Sequence, residues 1–216
     1  MFRLAQRCLV PVTLGALPVL GMAVVAGGWA QPAPFDWIER SVSAMAALDA
    51  RHRYLTTAAM AGAGVIHVLV ALGVTAMAVS GRALLALAGL FLLLAAAFPL
   101  PAGGGWSIAH AVFAGLAAAA MASWPAAAGR SSPFGAAAGP WVTVALFVLL
   151  GWYLVEVAVG GDLGGIAERA ALAAELLWLA VTVRADARPR VPLTPVPTGP
   201  AMLVREPVVR TLEGRR

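Results

Sequence analysis

Six ionisable side chains interrupt long apolar stretches of this 216-residue chain. A charged group near the centre of a bilayer is costly, so such residues usually face the interior of a helix bundle and serve a function. Two imidazoles and a carboxylate can also hold a catalytic metal with an open water position. The candidate ligand-binding residues are His67, His110, Glu156, Glu168, Arg169 and Glu175.

The depth of these residues along their helices, at about 1.5 Å per residue, sorts them into two tiers. The outer tier, roughly 6–8 Å below one membrane surface, consists of His110, Glu156, Glu168 and Arg169. The deep tier, His67 and Glu175, lies about 16–18 Å down, near the midplane. The inner half of the bundle has almost no ionisable groups. The sequence therefore predicts a polar cavity that is open to the outside and closed at the midplane.

Glu175 is the candidate that is hardest to explain as a packing residue. A carboxylate at the midplane costs about 2.5–3.5 kcal/mol on insertion scales, so it must be protonated or paired. By depth, its nearest partner is His67. His67 also has a structural interpretation, because Ala63 and Gly64 are small neighbours one turn back and a histidine there can bond across a helix interface.

The outer tier has structural interpretations as well. Glu168 and Arg169 could lie at the membrane interface, with Arg169 extending to the headgroups. Glu156 could belong to an aromatic belt with its neighbours Trp152 and Tyr153. His110 could bond only a backbone carbonyl. These alternatives and the functional one are open at the level of sequence.

The elements that must position these residues are six apolar stretches, each near the roughly 20 residues that a helix needs to cross a bilayer. Hydrophobic residues make up 61% of the chain and charged residues 12%, which excludes an ordinary water-soluble domain. The runs are too long for barrel strands, so the predicted fold is all-α, a polytopic transmembrane helical bundle. Within a transmembrane domain of residues 1–184, the six spans are residues 8–30, 56–79, 82–98, 106–124, 139–159 and 163–183.

Arginine placement predicts how the bundle lies in the membrane. With both termini cytoplasmic, the inside connections carry Arg82 and Arg130, while two of the three outside connections carry no arginine, as the positive-inside rule requires. The net charge of +5 is therefore a topology signal and excludes a nucleic-acid-binding role. The composition is typical of a GC-rich bacterial genome, so we expect a multi-pass protein of the bacterial inner membrane.

The first span needs to be distinguished from a signal peptide. The apolar run of residues 8–30 is longer than the apolar core of a signal peptide, which has about 7–15 residues. This length favours an uncleaved helix. Cleavage after Ala30 would leave five spans. The single cysteine, Cys8, excludes an intramolecular disulfide.

Two segments outside the spans carry further expectations. Residues 31–55 place apolar side chains at helical spacing, which predicts a short amphipathic helix at the outer interface, either a packed loop or a lid over the bundle. Residues 185–216 are rich in proline and arginine, which predicts a disordered cytoplasmic tail with polyproline II character. This tail could contact anionic membrane lipids or a protein partner.

Three sequence runs resemble one known family. They are Ser41–Leu48, which resembles an I-S-x-L-x-A segment, Phe98-Pro99 followed by His110, and Gly165–Arg169 followed by Trp178. In this order and spacing, over about residues 8–184, they resemble the bacterial domain-of-unknown-function family 998. The resemblance implies six spans and draws attention to His110, Glu168 and Arg169, but it implies no activity. One departure is that Leu100-Pro101 stand where the family pattern often has an acidic residue.

Three classes of function fit these residues. The first is a non-enzymatic protein that binds a lipid or small solute in the outward-facing cavity, where His67 and Glu175 could exchange a proton. The second is a structural or assembly subunit that docks through its tail. The third, which the depth difference between His67 and His110 disfavours, is a membrane-embedded metal-dependent hydrolase. We expect the first, with no enzymatic activity and with no cofactor or metal.

Overall fold

The computed structural model of the protein describes residues 2–32, 34–103, 105–129 and 137–186. These ranges contain six α-helices and no β-strand, so the predicted all-α helical bundle is confirmed. The helices are α1 (Phe2–Trp29), α2 (Tyr54–Gly73), α3 (Val79–Ala97), α4 (Ile108–Ala127), α5 (Ala138–Val159) and α6 (Gly164–Asp186). The predicted disordered tail, from residue 187 onward, and Arg130 lie outside the described residues.

Within the described part of the chain, five helices, α1 to α5, are long and apolar enough to cross a membrane. In α1 the qualifying part is Pro11–Trp29. Helix α6 is of similar length but more polar, because Glu168, Arg169 and Glu175 lie in its first half. The protein therefore has the form of a multi-pass membrane protein, and the described part of the chain has one further long helix, α6, that is more polar.

Two helix termini near the candidate residues follow from local sequence. Ser107 caps α4, since its hydroxyl accepts a hydrogen bond from the His110 backbone N–H at 3.2 Å. Helix α5 ends at Gly160, whose φ of 65° is a left-handed conformation that glycine adopts without steric cost. These two helix termini help to place the polar residues of α4, α5 and α6 at one end of the bundle.

Each helix packs against the next one along the chain, and α1 also contacts α6, so the helices are arranged in a ring. Short connections make successive helices antiparallel. Residues 98–107 and 160–163 therefore share one end with the long segment between α1 and α2; we call this the capped end. Residues 74–78 and 128–129 lie at the opposite end, where the Ala78 N–H donates to the Ala128 carbonyl at 3.1 Å.

The apolar core lies where α2, α4 and α6 meet. Val70, Trp124 and Leu179 are fully buried there in one cluster. Helices α2 and α3 approach closely because Gly64 faces Gly89: a Cβ added to Gly64 would lie 2.7 Å from the Gly89 carbonyl oxygen. Small residues at such contacts allow backbones in a membrane to pack tightly, which stabilises helix association where the hydrophobic effect is weak.

Residues 34–53, which we call the cap segment, fold over the capped end. The amphipathic α-helix expected over residues 31–55 is wrong, because this segment consists of turns and one short 3-10 helix, Ser43–Ala46. One turn is built on Asp36, whose Oδ1 accepts the backbone N–H groups of Glu39 at 3.0 Å and Ile38 at 2.8 Å. The bond from Glu39 has the larger effect on the pKa of the Asp36 carboxyl, and the bond from Ile38 has the next largest. Both hold this pKa below its usual range.

The apolar side chains of the cap segment pack onto the bundle instead of lying on a lipid surface. Phe35, Val42 and Met45 are buried, and they contact Val24 of α1 and Leu172 of α6. Burying one such side chain stabilises the closed position by about 1.5–3 kcal/mol. The structure therefore shows this segment as a packed loop that covers one end of the bundle.

Candidate functional site

The first two turns of α6 hold the cap segment by hydrogen bonds to its backbone. The Glu168 carboxylate accepts the Val42 N–H. The Nη1 group of Arg169 donates to the carbonyl oxygens of Trp37 and Arg40, both at 2.9 Å. Because charge-assisted hydrogen bonds are about twice as strong as neutral ones, these two side chains fasten the cap segment to the bundle.

The guanidinium group of Arg169 is enclosed by aromatic rings. Its central carbon lies 5.0 Å from the centroid of the Trp37 ring and 5.7 Å from that of Phe35, within cation–π distance. The Nε and Nη2 atoms of Arg169 are buried and have no hydrogen-bond partner among the described residues. No carboxylate of those residues lies within salt-bridge distance of it either. Arg169 is therefore a covered cation with one unsatisfied edge.

Gly165 permits the close contact between α6 and the cap segment. A Cβ at this position would lie 2.5 Å from the Arg40 carbonyl oxygen and 2.8 Å from that of Ile38. The next residue, Ile166, donates its backbone N–H to the same Ile38 oxygen at 3.0 Å. The beginning of α6 thus contacts the cap backbone directly, with no side chain between them.

His110 binds the cap segment from the other side. Its Nδ1 donates to the carbonyl oxygens of Ala95 and Phe98, both at 3.0 Å, and carbonyls only accept, so this nitrogen carries the hydrogen. Its Nε2 lies 3.0 Å from the Ser43 Oγ and, in the neutral ring, accepts the hydroxyl hydrogen. The histidine therefore connects the end of α3, the start of α4 and the 3-10 helix of the cap.

Glu156 stabilises the connection between α5 and α6. One carboxylate oxygen accepts the Trp152 indole N–H at 3.0 Å, and the other accepts the Leu163 backbone N–H at 3.1 Å. Both partners are local. Glu156 thus orients the short connection from which α6 begins.

The deep pair is separate from this network. His67 Nε2 lies 2.9 Å from Glu175 Oε1, and both residues are buried. The His67 Nδ1 donates to the Ala63 carbonyl oxygen at 2.7 Å. The second carboxyl oxygen of Glu175, Oε2, is buried without a partner in the described structure. The pairing predicted from equal depth is confirmed.

The structure places the outer tier at the capped end and the deep pair below it, as the depths predicted. The polar cavity expected at that end stays a prediction; in the structure the outer-tier side chains are bonded to the cap segment and to the α5–α6 connection. A small pocket lies instead at the opposite end, and its lining includes Trp124, Trp178 and Thr182.

The metal-hydrolase hypothesis needed His67, His110 and a carboxylate in one set. The structure gives the two histidines different partners, Glu175 and Ser43. In the described ranges, no three His, Cys, Asp or Glu side chains are grouped as a metal site would need. This hypothesis therefore has no assembled ligand set to support it.

Several residues of the capped end were not identified from sequence. Ser43 lies inside the run Ser41–Leu48, which was the only sequence signal for it. Asp49 accepts the Gly103 N–H at 2.8 Å and ties the cap to the α3–α4 connection. Gln31 donates to the Arg51 carbonyl at 2.9 Å and accepts the Arg51 N–H at 3.2 Å. These last contacts are to backbone groups in irregular loops, which no side-chain pattern specifies.

Comparison with known proteins identifies a family. The model of a family described as "Protein of unknown function (DUF998)" matches residues 15–185. The chain belongs to this family. The resemblance seen in the sequence is thereby confirmed. No curated protein and no solved structure matches the chain.

The three runs that resemble DUF998 patterns meet at the capped end. Ser43 comes from the first run, Phe98 and His110 from the second, and Glu168 and Arg169 from the third. Ser43, Glu168 and Arg169 take part in bonds between the cap segment and the helices, as does His110, while Phe98 accepts from His110 at the end of α3. Most of the resemblance therefore falls on the fastened cap, while Trp178 of the third run lines the pocket at the opposite end.

Proposed function

We propose that this DUF998 protein binds a phosphate group beneath its cap segment, carried either by a lipid headgroup or by a free anion. The observation that supports this most is the free edge of Arg169. Its Nη1 group is used by the carbonyl oxygens of Trp37 and Arg40 in the cap segment and of Gly165 in α6, whereas Nε and Nη2 are buried without a partner among the described residues. Nε and Nη2 lie side by side in the planar guanidinium and match two oxygens of a phosphate.

The surroundings favour an anion at this edge. Arg169 makes no salt bridge within the described residues, and Glu168 acts on it only by longer-range electrostatics, so an anionic ligand at the buried Nε and Nη2 atoms would stabilise this edge. The Trp37 and Phe35 rings lie against the guanidinium, and its Nε and Nη2 atoms are buried, which strengthens the electrostatic interactions of these two atoms. Exposed Ile38, whose carbonyl oxygen bonds the start of α6, places apolar surface beside the site, as an amphiphilic ligand would require.

Access to Arg169 needs movement of the cap segment, which makes this segment a lid. The segment contains no α-helix, so it can separate from the bundle without breaking a helix once its hydrogen bonds and its buried apolar contacts are released. In this proposal Glu168 and His110 close the lid and Arg169 holds the ligand. This is a binding function, and no chemical step is assigned to it.

The proposal also includes how the protein lies in the membrane. Helix α6 acts as a sixth span, because Glu175 within it pairs with His67 of the apolar helix α2. The capped end faces outward and both termini face the cytoplasm of a bacterial cell, with the protein in the inner membrane. Support comes from Arg82 and Arg184 at the opposite end, where the positive-inside rule places basic residues.

Calorimetric titration of the purified protein in an uncharged detergent tests the binding proposal. The probes are a short-chain phosphatidic acid, inorganic phosphate and the matching neutral diacylglycerol. Wild type should bind the phosphatidic acid. Arg169→Lys keeps the positive charge but lacks the two adjacent N–H donors of the guanidinium. Its binding free energy should be weaker by about 1.5–3 kcal/mol, which raises Kd about tenfold to hundredfold. Arg184→Gln, at the exposed end of α6, serves as the control and should bind like wild type.

Comparison of the two phosphate-bearing probes distinguishes a lipid headgroup from a free anion as the natural ligand. Binding of phosphatidic acid alone identifies a lipid headgroup, and equal binding of inorganic phosphate identifies a free anion. Equal binding of diacylglycerol, or an unchanged affinity in Arg169→Lys, would contradict the proposal. So would the absence of binding by either phosphate-bearing probe.

A further inference from the structure

The buried His67–Glu175 pair has one bridging position that takes a proton. His67 Nδ1 keeps its hydrogen, because it donates to the Ala63 carbonyl. The 2.9 Å contact between Nε2 and Oε1 then needs a hydrogen, held either by a carboxylic acid or by an imidazolium. Glu175 Oε2 is a second, unpartnered position in the described structure. The pair therefore holds one proton in this bridge, and Oε2 offers a position for a second.

The pocket at the opposite end is lined by residues that follow Glu175 along α6. It is lined by the α2–α3 connection, by the end of α4, and by Trp178, Thr182 and Asp186 of α6. Trp178 is three residues after Glu175, which is about 4.5 Å along a helix axis. The pocket has room for about one water molecule, which is far too little for an organic ligand.

Two buried polar atoms line the same pocket without a protein partner among the described residues, Trp124 Nε1 and Thr182 Oγ1. Buried polar groups of native proteins are almost always hydrogen-bonded, to water where no protein group is available. A water-sized pocket with two such groups is suited to ordered water. The Thr182 hydroxyl of α6 thus lies in the pocket, and the Glu175 carboxyl lies about two turns earlier on the same helix.

We propose that the His67–Glu175 pair is a proton-binding site that exchanges its proton with the opposite end of the bundle through the Trp124–Thr182 pocket. The ligand is a single proton, delivered by water. The site is distinct from the phosphate site under the cap, and neither depends on the other. If the opposite end is cytoplasmic, the pair samples the cytoplasmic pH.

Other titratable groups lie away from the pair. On the helices around it, the remaining ones are within about two turns of a helix end. At the capped end they are Tyr54 of α2, His110 of α4, Tyr153 and Glu156 of α5, and Glu168 and Arg169 of α6. At the opposite end they are Arg82 of α3 and Arg184 and Asp186 of α6; the described part of α1 from residue 11 has none. Titration at mid-depth is therefore assigned to the pair itself.

Infrared difference spectroscopy of the full-length protein in lipid nanodiscs tests proton binding. Acidification should produce a carboxyl-group signal that shifts in heavy water and disappears in Glu175→Gln. Glu156→Gln, a carboxyl at the capped end, is the matched control and should keep it. No signal in wild type, or the same signal in Glu175→Gln, would overturn the proposal.

The route is tested by the rate at which the signal shifts after transfer to heavy water. Thr182→Val removes a hydroxyl from the pocket and should slow the shift severalfold. Thr56→Val removes a similarly buried, unpartnered hydroxyl at the capped end and should leave the rate unchanged. Equal rates in both variants would exclude this pocket as the path.

A measurement on wild type covers the case in which Glu175→Gln does not fold. The chain has three histidines, so nitrogen NMR of labelled histidine resolves His67 once His52→Gln and His110→Gln have identified the other two. The His67 signal should change with pH, and Nδ1 should stay protonated throughout. A His67 signal that is constant over the pH range in which the protein is folded would overturn the proposal.

Discussion

At the scale of residues, the candidate side chains divide by what they bind. His67 and Glu175 bind each other, whereas Glu168, Arg169 and His110 bind the cap segment. Depth along a helix can be read from sequence, and it predicted the first pairing. The second set could not be predicted, because its partners are backbone groups of an irregular segment with no recognisable periodicity.

The deep pair should behave as one unit in stability measurements. His67→Leu leaves the Glu175 carboxyl buried without its partner, which should cost about 1–3 kcal/mol. The double variant His67→Leu/Glu175→Leu removes both polar groups and should recover most of that loss. Denaturant unfolding in detergent, followed by circular dichroism, measures both.

A double variant that is destabilised by the sum of the two single substitutions would contradict this coupling. The natural comparison is Glu156→Leu combined with His67→Leu. These two residues do not contact each other, so their effects should add.

At the scale of elements, the first half of α6 is the part on which the capped end depends. It provides Gly165, Glu168 and Arg169 to one side of the cap segment, while α4 provides His110 to the other. The sequence predicted the helices well because long apolar runs in a membrane have few alternatives. It misassigned residues 31–55, since buried apolar side chains in a folded loop can repeat at helical spacing by chance.

Gly165→Ala should loosen the cap segment. The added methyl group would lie 2.5 Å from the Arg40 carbonyl oxygen, so the cap backbone must move away. Amide hydrogen exchange over residues 34–47 should therefore become faster, while exchange in α2 and α3 stays unchanged. The matched control is Gly151→Ala in α5, where the added methyl group has open space.

Unchanged exchange in Gly165→Ala would mean that α6 does not hold the cap in the way described. Faster exchange across the whole bundle would instead indicate a general loss of stability.

At the scale of the whole molecule, the bundle has two chemically different ends. The capped end carries the fastened polar network, and the opposite end carries Arg82, Arg184 and a water-sized pocket. Arg82 donates from Nε to the Ala71 carbonyl oxygen at 2.6 Å and so also closes the end of α2. The overall bundle and the two tiers could be predicted from sequence. The closed state of the capped end could not, since it depends on long-range contacts.

The proposed orientation predicts which end an impermeant thiol reagent reaches in whole cells. In a Cys8→Ser background, Arg51→Cys places a thiol on the exposed part of the cap segment and should be labelled from outside. Arg184→Cys, exposed at the other end, should be labelled only after the membrane is opened. The reverse pattern would contradict the orientation while leaving the fold intact.

The structural or assembly hypothesis is a separate prediction at this scale, because it rests on the tail. Deletion of residues 188–216 should leave phosphate binding unchanged if the site lies under the cap. A loss of binding on this deletion, with the bundle still folded, would shift the function toward the tail.

Phosphorus NMR tests the central claim, phosphate binding at Arg169, most directly. Short-chain phosphatidic acid and inorganic phosphate are each observed with wild-type protein and with Arg169→Lys, in the same uncharged detergent. The account predicts that at least one phosphorus signal shifts or broadens with wild type and that the effect disappears with Arg169→Lys. Signals that are unaffected by wild type, or affected equally by the two proteins, would contradict it.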